Sequence, residues 1–242
     1  MGTWPARRWW GVATMVLAMI ALLAATRSAF TMIYLGVAFR NEIDPITTPA
    51  SYYFYVDGGR GLYTSAAVAL AVAALAVLFG MARAGVRMAG RPTVLFAVWV
   101  GSMLLAAIFP TDASPRIETV AGWVHQFAGA GILAMLSFAG LAAAPRLAES
   151  PPWRPVVGIV KALSIGAALL AAAYVVTRVV QLVPVLVLLT GGLDVGGILQ
   201  RLVFAFDIAT VTALAVHLVR VSWPALRDRT TTAPDPSAPM RS

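Results

Sequence analysis

Six long apolar runs, separated by short stretches rich in arginine, glycine and proline, limit this chain to one kind of fold. The runs lie at roughly 9–38, 62–82, 93–109, 120–144, 156–181 and 199–221, and each approaches or exceeds the ~20 residues that cross a ~30 Å hydrocarbon core. In lipid every backbone N–H and C=O must be satisfied within the protein, so only helices and closed barrels span a membrane. The runs are continuous and show no two-residue alternation, which excludes barrel strands. The expected class is therefore all-α, a polytopic transmembrane bundle of six helices. Composition agrees: 12% of the residues are charged, against about 25% in soluble domains.

The domain reading is a six-helix unit over residues 1–224, followed by a disordered cytoplasmic tail, 225–242, of proline, serine, threonine, aspartate and arginine. The first run is too long for a cleaved signal peptide, and no small-x-small cleavage site follows it, so it reads as a retained helix. Residues 155–190 are too long for one crossing. Pro184 is expected to break that run, leaving Val185–Thr190 as an interfacial or re-entrant piece, with a short seventh helix as the alternative.

Arginine supplies the whole basic excess apart from Lys161. One set of loops holds Arg7, Arg8, Arg83, Arg87, Arg91, Arg146, Arg154, Arg220, Arg227 and Arg229. The other set holds Arg40, Arg60 and Arg116 with most of the acids. This bias follows the positive-inside rule and places both termini in the cytoplasm. It also accounts for the net charge of +8 without a nucleic-acid partner. Cysteine is absent, which removes disulfides, thiolate metal sites and thiol nucleophiles. No metalloprotease, nucleophile-elbow or dinucleotide motif is present, so no cofactor and no metal site is expected.

The chemistry-bearing residues fall in the expected outer leaflet. They are Arg27 late in helix 1, Asp112 in the loop before helix 4, His125 and Gln126 just inside helix 4, Tyr174 and Arg178 near the end of helix 5, and Asp207 in helix 6. Arg201 lies at the outer boundary. A charge near mid-membrane costs about 2.5–3.5 kcal/mol on insertion scales, so such groups turn inward and pair; Asp207 with Arg27 or Arg178 is the expected pair. Helical spacing puts Tyr174 with Arg178 and Gln181, and Arg27 with Thr31 and Tyr34. The result is either a pocket or a set of structural ties between helices. In the pocket reading His125 is a general acid or base oriented by Asp112, Asp207 a proton donor, and Arg27, Arg60, Arg178, Gln126 and Tyr174 hold the substrate. In the structural reading His125 bonds a carbonyl on a neighbouring helix, and Asp112 begins the next turn. Lys161 and His217, in the opposite leaflet, read as snorkelling groups. The first outer loop, with Tyr52, Tyr53, Phe54 and Tyr55, is an aromatic belt or a lid carrying Asp57 and Arg60.

Asp44-Pro45 and Ser51-Tyr52 before Gly59-Arg60-Gly61, then Phe109-Pro110-Thr111-Asp112, then Trp123-Val124-His125-Gln126, form a pattern. It resembles an uncharacterised domain-of-unknown-function family of six-helix bacterial membrane proteins. In general shape the chain is also distantly similar to FRAG- and DRAM-type membrane proteins. The resemblance implies a membrane bundle and brings no reaction with it. The leading functional expectation is binding or processing of a lipid, isoprenoid or other amphiphile at the outer leaflet. A structural or assembly role beside another membrane protein is the alternative, with proton-coupled transport third. Membrane lipids are the partners expected in every case.

Overall fold

A computed structural model describes residues 4–113 and 116–224, with side chains from residue 11 onward. It is all-helical. The long helices are α1 (Trp4–Ala38), α2 (Gly59–Arg83), α3 (Arg91–Ile108), α4 (Val120–Glu149), α5 (Arg154–Leu182) and α7 (Gly196–Ser222), with a short α6 (Pro184–Leu189) before the last. The six long helices are each long and apolar enough to cross a membrane. The tail 225–242, with Arg227 and Arg229, lies outside the described residues.

Local sequence sets the helix ends. Gly58, at φ 73°, turns the chain into α2, a backbone region that costs glycine nothing. Gly90, at φ 88°, does the same for α3, which has Pro92 in its first turn; there its missing N–H has no intrahelical partner to lose. Proline likewise opens α5 and α6. Pro184 thus breaks the long fifth run as expected, and the piece after it is the short helix of the alternative reading. In contrast, α4 continues through Pro145 to Glu149, past the expected end at 144.

Helices α1, α2, α3, α4, α5 and α7 pack as a ring in that order, and α7 returns against α1. Helix α2 is the most buried of the six, and its inner face is largely alanine. Small residues let neighbouring backbones approach closely in a membrane bundle. Gly80 shows this at one point: a Cβ there would lie 2.2 Å from a Leu218 methyl. Trp99, Phe96, Leu136 and Leu214 fill the centre. Leu23, Phe30, Ile33 and Val37 of α1 face outward, as the lipid-facing side of a bundle requires.

The loops 39–58, 109–119 and 183–195 share one end of the bundle, here the loop end; the other, the terminal end, holds the start of α1 and the end of α7. At the loop end a 3-10 turn, Ala50–Tyr55, drives Tyr53 and Phe54 into a second small core with Leu35, Ile43 and Tyr63. The aromatic loop is therefore a tucked-in cap. At the terminal end His217 is buried, bonds the Pro152 carbonyl at 2.7 Å and packs against Trp153. It ties helices rather than snorkelling, because a ring nitrogen finds an acceptor inside the protein.

Candidate functional site

The loop between α3 and α4 is closed by its own polar groups. Asp112 Oδ2 accepts from the Glu118 and Thr119 amides at 2.8 and 3.3 Å, and Oδ1 accepts from the Thr119 hydroxyl at 2.6 Å. Thr119 in turn caps α4, its Oγ1 accepting from Gly122 N at 2.9 Å, the usual device for an unpaired N-terminal amide. The Thr119 hydroxyl and then the Glu118 amide hold the Asp112 carboxyl below its ordinary range. Gly122 is required by this closure, because a Cβ would sit 1.9 Å from Asp112 Oδ2. His125 is buried and bonds the Phe109 carbonyl through Nδ1 at 2.7 Å. A carbonyl only accepts, so Nδ1 carries the proton. The His125 ring meets Phe54 edge-on, and Arg60 stacks over the other partner of that contact, 5.4 Å from the Phe54 centroid.

This geometry corrects the expected dyad. Asp112 does not orient His125; its two oxygens are committed to the cap, and the imidazole proton goes to a backbone carbonyl. Gln126, one residue on, is exposed and points away from His125's side of the helix.

A second fastening closes the loop before α7. Arg178 Nη1 approaches Asp194 Oδ2 at 3.5 Å and its guanidinium lies 6.0 Å from the Tyr174 ring centre, so the expected Tyr174–Arg178 pairing is present. Gln181 donates to the Leu193 carbonyl at 3.3 Å, and Asp194 accepts from Gly196 N at 2.8 Å.

Asp207 pairs with neither arginine. It lies eleven residues into α7, about 16 Å below its start, whereas Arg178 is four residues from the end of α5, about 6 Å from that end. Arg27 is exposed on the α2 flank of α1, donating to the Ser65 carbonyl at 3.3 Å. Asp207 is instead buried at 1% exposure with Oδ2 unpartnered, and the polar side chain facing it is Trp99. The Trp99 indole N–H is shared with the Ile132 carbonyl at 3.0 Å. The nominated residues thus occupy separate stations and do not line one pocket. Among the described residues no three His, Asp or Glu side chains converge as a metal site would need.

The station that sequence reasoning left out of the site is Arg201. Its Nη1 donates to the carbonyls of Pro45, Thr48 and Gly197 at 2.9, 2.7 and 3.1 Å. Its Nη2 donates to the Tyr53 hydroxyl at 3.1 Å, and the guanidinium lies over the Tyr53 ring. Beside it Gln200 accepts from Ala50 N at 2.8 Å and Ile198 N donates to the Ile46 carbonyl at 2.9 Å. Asp44, the acid whose field reaches Arg201, spends its oxygens on Ile46 N and Thr47 Oγ1. The first bond, to the Ile46 amide, is the main reason its carboxyl is held below the ordinary range.

Arg201 forms the polar end of a groove of about 380 Å³ between α1 and α7. Its walls are otherwise apolar: Met32, Ile33 and Val37 from one helix, Phe204, Ala205 and Ile208 from the other. Gly36 leaves it wide, since a Cβ there would meet nothing within 4 Å. Between residues 29 and 37 the groove runs about 12 Å along α1. The signal in the sequence was Gln200-Arg201 opening a membrane helix behind a double glycine, a polar pair facing whatever loop docks there.

No match was found among curated proteins or among solved structures. The sequence profile of proteins of unknown function termed DUF998 matches residues 23–217, from the middle of α1 to near the end of α7. The chain is therefore a multi-pass membrane protein of the DUF998 family.

Proposed function

We propose that this protein holds an anionic amphiphile, a lipid or isoprenoid, in the α1–α7 groove at the outer leaflet of a bacterial cytoplasmic membrane. The observation that carries this reading is the groove itself, apolar along its length and cationic at one end. Ligand pockets are typically about 300–1,000 Å³ with few polar groups, and the groove has that size and character. The arginine-rich loops at the terminal end support an orientation with both termini in the cytoplasm, the loop end outside, and residues 1–224 as the membrane unit.

His125, Asp112 and Arg178 enter this function by holding the loops in place. In the groove the head group meets Arg201 while the hydrocarbon lies against Met32, Ile33 and Phe204. The assembly reading is favoured by one observation: the polar residues of the loop end mostly fasten loops to helices. Mass spectrometry of co-purifying lipids separates the two. Wild type is expected to carry a specific anionic amphiphile, lost in folded Gly36→Phe, whose ring fills the groove. An identical lipid set in both proteins would sink the binding reading and leave assembly.

A further inference from the structure

The groove has a second compartment behind it. Met32, Phe204 and Ile208 line the groove and also line a small cavity at the bundle centre, bounded beyond them by Tyr63, Leu70, Met103 and Ile132. Three side chains therefore form one partition, the floor of the first space and the wall of the second. Methionine fills irregular space and shifts rotamer at low cost.

The inner cavity holds about 20 Å³, a volume near that of one water molecule. Its surface is almost wholly apolar, and the carbonyl of Ile132, one of its lining residues, already receives the Trp99 N–H. Ser28 and Tyr63 are the polar side chains of the cavity lining, and the rest of the wall is apolar, which a methyl group matches better than a water needing two to four polar partners. The cavity suits the methyl end of a hydrocarbon chain.

Building on the groove reading, we infer that the ligand is a single-chain amphiphile whose head sits at Arg201 and whose tail passes Met32, Phe204 and Ile208 into the bundle. Charge complementarity fixes the head. The hydrogen bonds of Arg201 to protein use Nη1 and one hydrogen of Nη2, and a guanidinium has five N–H groups. Its ion-pair partner is not a protein carboxylate among the described residues. One chain fits because a single partition joins the two spaces. A two-chain lipid would leave its second chain outside, against Ile33 and Val37.

The test is photolabelling by dodecyl phosphate with a diazirine at the chain terminus, in phosphatidylcholine nanodiscs. Peptide mapping is expected to place the label on Tyr63, Leu70 or Met103. Ala67→Leu, which fills the inner cavity from α2, should abolish that labelling and shift it to Ile33 and Val37. Met32→Ala, which thins the partition and adds no bulk, should increase it. Label confined to the groove in wild type, or unchanged in Ala67→Leu, would overturn the inner compartment and leave the groove standing. Label in wild type no greater than in Gly36→Phe would overturn the groove reading itself.

Discussion

Gly197→Ala separates a docked first loop from a loose one, because the two cases predict opposite signs. In a helix, alanine is ordinarily favoured over glycine by about 0.8–1 kcal/mol. At Gly197, however, a Cβ would lie 2.6 and 2.8 Å from the Thr48 and Ile46 carbonyl oxygens and 2.8 Å from Thr48 N. These are backbone atoms and have no rotamer to retreat to. The loop must lift, and with it go bonds from Ile198 N to Ile46, from Ala50 N to Gln200, and from Arg201 to Pro45, Thr48 and Tyr53. At about 1 kcal/mol net for each bond lost, partial undocking outweighs the propensity gain and leaves a loss of roughly 2–3 kcal/mol. Gly36→Ala is the control, a helical glycine whose added methyl meets nothing; it should be neutral or gain up to about 1 kcal/mol. Denaturant unfolding in detergent measures both, and protease cleavage within 40–58 reports the loop directly. Gly197→Ala as stable as Gly36→Ala, with the loop still protected, would refute the docking geometry.

The other predictions concern the remaining fastenings. His125→Ala should destabilise the bundle by about 1–3 kcal/mol, the cost of stranding a carbonyl such as Phe109 O, while amphiphile binding in the folded fraction is retained; lipid analysis of the folded protein checks this. Gly122→Ala and Asp112→Ala break the same closure, so the double variant should be no less stable than the worse single one in a mutant cycle. The Asp112 and Asp44 carboxyls are held below their ordinary range by hydrogen bonds. Their contribution is therefore present above the unfolded value near 3.8 and is lost as pH falls through the folded value. Proteolysis of the loops should accelerate below about pH 4 and not between neutral pH and pH 5.

The six crossings were legible because hydropathy is a property of contiguous sequence, and lipid leaves a long apolar run little choice but helix. Pro184 was legible as a break for the same local reason. The α4 terminus was not, since packing of Leu147 in the core carries the helix past Pro145. Asp112 and His125 stand out in the sequence as polar residues beside an apolar run, yet their partners are a hydroxyl, two amides and a carbonyl. Backbone acceptors are written identically at every position, so a sequence cannot show which one a histidine will find. The expected Asp207–Arg pair failed on depth and azimuth, which depend on where each helix starts and how the ring is ordered. Arg201 was seen and placed at the boundary, but its importance rests on loop carbonyls some 150 residues away.

The ring order has a consequence for how the protein is made. Helices α1 and α2 are neighbours in sequence and can associate soon after synthesis, whereas the seam between α1 and α7 must wait for all the helices between them to be inserted. During that interval the face of α1 bearing Ala29, Met32, Ile33 and Gly36 is open to the bilayer, and it becomes a groove wall only when α7 arrives. Arrival of the same helix brings Arg201 to the first loop and Leu218 to Gly80. A nascent chain stalled before α7 would thus have neither groove nor docked loop, and lipid occupying the seam at closure would be enclosed during biogenesis.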